Sequence, residues 1–156
     1  MATDMAHAHN TFLRSLNSIY HQAPHISSPN DISDILFYGH CWHDTVEHHR
    51  HHEETGFFPD IEKTAKTPGL MERNMEQHHT FHPGFYAFRD YCLQMKVEDY
   101  DEMALMKILD DLSHILRQHL AEEVETLLEL EYCDESKLKK AYGDFEARII
   151  ARADSA

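Results

Sequence analysis

The sequence predicts an all-α protein: an antiparallel, up-down four-helix bundle that carries an extra short C-terminal helix. Two observations lead to this fold class. Apolar residues recur at spacings of three and four through four long segments, as in amphipathic helices, and no segment shows the alternation of a half-buried strand. The connecting segments are short, so we expect neighbouring helices to run antiparallel.

The composition fits one globular domain and disfavours two classes of partner. The chain has 156 residues, is 42% hydrophobic and contains only 5 Gly and 5 Pro. Its formal charge of -14 disfavours nucleic acids and anionic membranes, which bind basic patches. No signal peptide or apolar run of membrane-spanning length is visible. The 3 Cys, without a close pair, predict free thiols in a reducing, cytoplasmic compartment.

The first two helices are predicted over residues 3–22 and 32–66, on either side of a loop that contains Pro and Ser. The first helix carries His9 near its start, followed by an apolar stripe. Gly56 and Pro59 are expected to loosen or kink the second helix near its end. The inward stripe of the second helix consists of Ile35, Tyr38, Trp42, Thr45 or Val46, His49, Glu53 and Phe57.

The third helix is predicted over residues 70–96, and the fourth follows a capping box formed by Asp99 and Glu102. Pro83 is expected to bend the third helix because it cannot donate a hydrogen bond to the carbonyl of His79. The inward residues of the third helix are Met71, Met75, His78, His82, Phe85 or Tyr86, and Leu93. Those of the fourth are Leu105, Leu109, Leu112, Leu116, His119, Glu123, Leu127 and Leu130.

A shorter C-terminal helix is predicted from Asp134 onward. Its apolar face consists of Leu138, Tyr142, Phe145 and Ile149. We therefore divide the chain into a bundle over residues 1–133 and a C-terminal helix over residues 134–156, which packs on the bundle or extends it.

Polar residues interrupt the apolar stripes as pairs of potential metal ligands. Residues four apart lie on one face of a helix, about one turn from each other. Three helices carry such a pair in phase with their stripe: His49 with Glu53, His78 with His82, and His119 with Glu123. His9 adds a seventh group, and antiparallel packing brings all four sets toward the same end of the bundle.

The combination of these groups predicts a metal centre, although one such pair alone is more often a surface ion pair. Buried imidazoles and carboxylates destabilise a core unless a cation compensates them. Seven ligands are too many for one ion and suit two ions that share carboxylates. Imidazole with carboxylate favours iron, manganese or zinc. His48 and His52 form a competing pair that is less well in phase with the stripe.

The sequence resembles the hemerythrin-like, HHE cation-binding domain family over about residues 5–132. Four motifs carry the resemblance: Ala8-His9-Asn10, His49-x-x-x-Glu53-Glu54 followed by Phe57-Phe58-Pro59, Glu76-Gln77-His78-x-x-x-His82-Pro83-Gly84, and His119-Leu120-x-x-Glu123. The residues of these motifs are most similar to those of stand-alone fungal members.

The resemblance implies a four-helix bundle around a non-haem, oxo- or hydroxo-bridged pair of iron ions. Carried over by position, the terminal ligands are His9, His49, His78, His82 and His119, and the bridging carboxylates are Glu53 and Glu123. Oxygen-carrying hemerythrins have a His-x-x-x-x-Asp spacing on the last helix. The spacing here is one residue shorter and ends in Glu, which disfavours pure oxygen transport. Glu54 and Glu122 are candidates for an extra ligand.

We therefore expect a protein that binds, senses or scavenges O2. The first alternative is a di-iron oxygenase or oxidase that acts on a small-molecule substrate. The second is an iron-storage or regulatory module whose C-terminal helix docks a partner. The sequence does not indicate the oligomeric state.

Overall fold

A computed structural model describes residues 1–153, with side chains as far as Ala151, so residues 154–156 of the predicted C-terminal segment lie outside the described part. The helices are α1 (Ala2–Gln22), α2 (Pro29–His52), α3 (Phe58–Ala65), α4 (Glu72–Gln94), α5 (Glu102–Leu128) and α6 (Glu135–Ala153). The described residues contain no strand, which confirms the all-α prediction. None of the helices in this part of the chain carries an apolar stretch long enough to span a bilayer.

Helices α1, α2, α4 and α5 form the predicted up-down bundle with the extra helix α6 beside it. Each neighbouring pair is joined by polar contacts: Trp42 Nε1 donates to the Phe12 carbonyl (3.0 Å), Tyr86 Oη to Glu47 (3.1 Å), Tyr91 Oη to the Asp101 carbonyl (2.7 Å) and Tyr20 Oη to Asp110 (3.0 Å). The leucine stripe of α5 is buried as predicted.

The predicted second helix is divided in two by a π-helical turn over Glu53–Phe57, between α2 and α3. Pro59 has no N–H and cannot donate to the carbonyl of Thr55, so the α-helical hydrogen-bond pattern is interrupted at this point. The wider turn directs both Phe57 and Phe58 into the interior, where they are 0% and 2% exposed. The expected loosening of the second helix near Gly56 and Pro59 is therefore a π-helical turn.

Two details of the predicted helices are wrong. Tyr38 and Leu93, which were expected inside, are 43% and 54% exposed. The N-cap of α5 is Asp101, whose side chain accepts from the Ala104 N–H, and not the expected capping box. Helix α4 continues through Pro83, which leaves the carbonyl of His79, an exposed residue, without its helical donor.

Helix α6 packs over the π-helical turn. The Phe145 ring stacks on Phe57 with centroids 4.9 Å apart and meets the His49 ring edge-on at 5.2 Å. The guanidinium of Arg148 lies directly against Gly56, where an added Cβ would meet its Nη1. The absence of a side chain at Gly56 thus leaves room for the Arg148 side chain in this position.

Candidate metal centre

Six of the seven predicted ligands converge in the interior of the bundle. They are His9 from α1, His49 from α2, Glu53 from the π-helical turn, His78 from α4, and His119 and Glu123 from α5. None of the six is more than 6% exposed. Four sides of the bundle therefore place imidazole and carboxylate groups in one volume closed to solvent.

Three of these residues form a group that we call the His49 side: His9, His49 and Glu53. Their ligating atoms lie within 4.8 Å of one another. His49 Nε2 is 2.6 Å from Glu53 Oε1, and His9 Nε2 is 4.0 Å from the same oxygen. His49 and Glu53 face inward together because they are one helical turn apart.

A second group, the His78 side, consists of His78, His119, Glu53 and Glu123, again with ligating atoms within 4.8 Å. The Nε2 atoms of His78 and His119 are 2.9 Å apart. Two neutral imidazoles that direct Nε2 lone pairs at each other repel unless positive charge lies between them. This geometry favours a cation where the two rings meet.

The two carboxylates link the two sides. Glu53 belongs to both groups, and its Oε2 lies 3.6 Å from His78 Nε2. Glu123 Oε2 lies 3.6 Å from His9 Nε2 and 3.6 Å from His119 Nε2. A carboxylate that contacts imidazoles from both sides is placed to bridge two cations.

Hydrogen bonds at the outer ring nitrogen orient His9 and His78. His9 Nδ1 donates to the Leu120 carbonyl at 2.9 Å, and His78 Nδ1 donates to Glu54 Oε1 at 2.8 Å. Donation from Nδ1 leaves the Nε2 lone pair free to face the centre. Arg50 also donates to Glu54 and holds that carboxylate in place.

A second chain of hydrogen bonds orients His119. Its Nδ1 donates to Gln77 Oε1 at 3.3 Å, and Gln77 Nε2 donates in turn to Glu122. Arg73 also donates to Glu122, at 2.9 Å. Glu54 and Glu122, the candidates for an extra ligand, therefore contact the outer edge of the centre, directly or through Gln77, and do not join the ligand groups.

The buried groups have strongly shifted pKa values. Burial alone would raise the pKa of Glu53, but the neighbouring histidines, His49 above all, hold it well below its usual range. Burial, and then the negative charge of Glu53, raise the pKa of Glu123 well above its usual range. Burial, and then the proximity of His78, lower the pKa of His119 well below its usual value. Of the two carboxyl groups, Glu123 is therefore the one that holds a proton more readily when no metal is bound.

The residues present fit a pair of divalent transition-metal ions. Within the described part of the chain, several buried ligating atoms have no hydrogen-bond partner: His9 Nε2, His49 Nε2, Glu53 Oε1 and both oxygens of Glu123. The short contact between His49 and Glu53 lacks the alignment of a hydrogen bond. Leaving such groups uncompensated is costly, whereas coordination to a cation satisfies their lone pairs.

His82, the seventh predicted ligand, lies outside the cluster. It is half-buried, and its ring stacks on Tyr86 with centroids 4.1 Å apart. The interior face of α4 continues from His78 to Phe81 and Phe85. The residue three positions after His78 therefore lies inside the bundle, whereas the residue four positions after it, His82, does not. The Phe81 ring contacts the His78 ring in the place expected for His82.

Sequence reasoning did not identify Asn74, Gln77 or Arg50 as parts of this region. A signal existed for Asn74, because Phe81 and His78 define the interior face of α4 and one more turn back leads to Asn74. Gln77 and Arg50 carried no such signal, since their contacts depend on side-chain conformations that spacing does not specify.

The chain belongs to a known cation-binding family. Residues 1–130 match the family described as the hemerythrin HHE cation binding domain, so this chain is a member of it. Membership confirms the resemblance and the type of bundle predicted from the sequence.

One curated relative is a protein from Cryptosporiopsis sp. (strain 8999) named dimeric xanthone biosynthesis cluster protein R11. The two sequences are 34% identical over 149 residues, which is 96% of this chain and 57% of the relative. The chain thus spans little more than half of that protein. No solved structure matches the chain.

We expect His78→Ala and His82→Ala to have opposite effects on metal loading. His78 directs Nε2 into the cluster, so its loss should lower the bound metal from two ions per chain to about one or fewer. His82 lies outside, so its replacement should leave two. The measurement is elemental analysis after anaerobic loading with Fe(II), and an equal loss in both variants would contradict the assignment.

We expect Glu123→Gln to stabilise the metal-free protein as the pH rises. A carboxyl group whose pKa is raised by folding contributes stability below its unfolded pKa and loses that contribution at higher pH. The two proteins should therefore be about equally stable near pH 4. By pH 7 the variant should gain about 1–3 kcal/mol, because Gln stays neutral.

Chemical denaturation of metal-free wild type and variant between these pH values tests this. A variant that is less stable than the wild type at pH 7 would contradict the raised pKa of Glu123. The same variant should bind metal more weakly, because it lacks the carboxylate placed between the two sides.

Proposed function

We propose that this chain is a non-haem di-iron protein that binds or reacts with O2. The observation that carries the proposal is the position of the carboxylates. Glu53 and Glu123 each contact imidazoles of both the His49 side and the His78 side. This arrangement suits two ions that share ligands better than it suits one.

The donor set supports iron. Four imidazoles and two carboxylates form a mixed nitrogen and oxygen environment that suits iron, manganese or zinc, and the ligand groups found in the described residues contain no thiolate. Ferrous iron would supply the electrons for a reaction with O2. The two carboxylates bring little negative charge for two divalent ions, so we infer reversible binding, sensing or scavenging of O2 over oxidation of strong C–H bonds.

The residues around the ligands keep the centre dry and rigid. Aromatic rings pack against the site histidines: Phe12 and Phe145 against His49, Phe58 against His78, and Phe81 against His119. The acceptors at the outer ring nitrogens hold the imidazoles in one tautomer. In a closed apolar volume, the charge of bound cations is balanced chiefly by the two glutamates.

A second candidate function is a di-iron oxygenase or oxidase that acts on a small molecule. The observation that favours it is the name of the relative, which assigns that protein to a biosynthesis cluster. As this chain spans only part of that relative, a substrate for the chain is a proposal.

All three cysteines are free, which supports the expected cytoplasmic setting.

Anaerobic loading with Fe(II), followed by O2 and visible spectroscopy, tests the proposed function. We expect about two iron ions per chain and a new absorption band on addition of O2. A band that reverses when O2 is removed indicates binding, and one that decays with formation of a product from an added substrate indicates the enzyme. Glu53→Ala, which removes the shared carboxylate, is the control and should give no band. A wild-type protein without iron or without a band would contradict the proposal.

A further inference from the structure

Asn74 is a buried polar residue that the ligand set does not use. It lies near the start of α4 and is 1% exposed. Both atoms of its side-chain amide are buried, and neither has a hydrogen-bond partner among residues 1–153. Burial of an unpartnered amide destabilises a protein, so a hydrogen-bond partner that is not part of the polypeptide would stabilise this position.

The helix geometry places Asn74 beside the His78 side of the centre. Asn74 and His78 are four residues apart, on the same interior face of α4. Helix α5 runs antiparallel to α4, and His78 meets His119 across the interface. One turn back along α4 therefore corresponds to one turn forward along α5, which brings Asn74 to the level of Glu123.

The same i, i+4 pattern of buried polar residues occurs on three helical segments. These pairs are His49 with Glu53, Asn74 with His78, and His119 with Glu123, and all six residues are buried. Asn74 is thus a second inward polar group on α4, one turn before His78, whereas His82, one turn after His78, lies outside the cluster. Asn74 completes a set of seven polar groups around the centre.

Asn74 is nevertheless shorter than the other six groups. A histidine Nε2 and a glutamate Oε both end three bonds from Cβ, whereas the amide atoms of asparagine end two bonds from Cβ. The missing bond corresponds to roughly 1.5 Å. A carboxamide in this position stops short of the point that the imidazoles reach, so it is better suited to a contact with a metal-bound molecule than to a contact with the metal itself.

We propose that Asn74 recognises a small ligand that binds at the open coordination position of the His78 side. The ligand class is a molecule of two or three atoms with exposed lone pairs, such as O2 or azide, which accepts a hydrogen bond from the Asn74 amide. Two imidazoles and two carboxylates leave positions free on an ion that prefers six donors. This inference rests on the proposed function, because the ligand needs the metal.

Azide binding to the iron-loaded, air-oxidised protein tests the inference. The proteins compared are wild type, Asn74→Leu, which keeps the branched shape and removes the donor, and Asn17→Leu, the same change at an exposed position of α1. Iron per chain is measured by elemental analysis, and azide affinity from its charge-transfer band. We expect two irons in all three proteins, and an azide affinity at least tenfold lower in Asn74→Leu alone.

Three results would overturn the inference. Loss of one iron in Asn74→Leu would make Asn74 a metal ligand, and an unchanged azide affinity would make it a packing residue. A wild-type protein that holds no iron pair would remove the proposed function first, and this inference with it. If Asn74→Leu does not fold, Asn74→Ala should show the same loss of azide affinity with iron content intact.

Discussion

The structure depends on an electrostatic constraint at the middle of the bundle. Six groups that water would normally solvate are buried there, and two of them, Glu53 and Glu123, are carboxyl groups that both contact His9. In the metal-free protein the conflict is reduced by the raised pKa of Glu123, which favours its neutral form. The two cations that we propose would resolve it more completely, because they would satisfy the lone pairs of all six groups together.

The bundle meets this constraint through repetition of a simple geometric unit. An i, i+4 pair on a helix places two polar atoms one turn apart on the interior face, and antiparallel packing brings such pairs to the same level. The outer partners Leu120, Glu54 and Gln77 then select which ring nitrogen faces inward. Helix α6 closes the His49 side with Phe145, so a segment outside the four-helix bundle contributes to the exclusion of water.

The sequence was sufficient to predict the parts of the structure that follow from the periodic spacing of apolar residues. The stripe of α5, from Leu105 to Leu130, predicted both the helix and the inward direction of His119 and Glu123. Periodicity was ambiguous on α4, because His78 has a four-residue neighbour in each direction, Asn74 and His82. A spacing rule that considers only strong metal ligands selects His82. The apolar residues Phe81 and Phe85 define the interior face of α4, and Asn74 lies on this face whereas His82 does not.

Other features depend on interactions that spacing does not contain. The π-helical turn at Glu53–Phe57 arises from Pro59 and from the packing of Phe57 on Phe145 and of Phe58 on His78, which involves residues far apart in the chain. The hydrogen bonds of Gln77 and Arg50 require particular side-chain conformations on neighbouring helices. Such contacts become visible only once the helices are packed.

The most direct measurement of the central claim is anomalous diffraction at the iron edge from crystals of the iron-loaded protein. Two carboxylates shared between two sets of histidines predict two peaks about 3.5–4 Å apart, with Glu53 and Glu123 between them. One peak, or two peaks that do not share these carboxylates, would contradict the account.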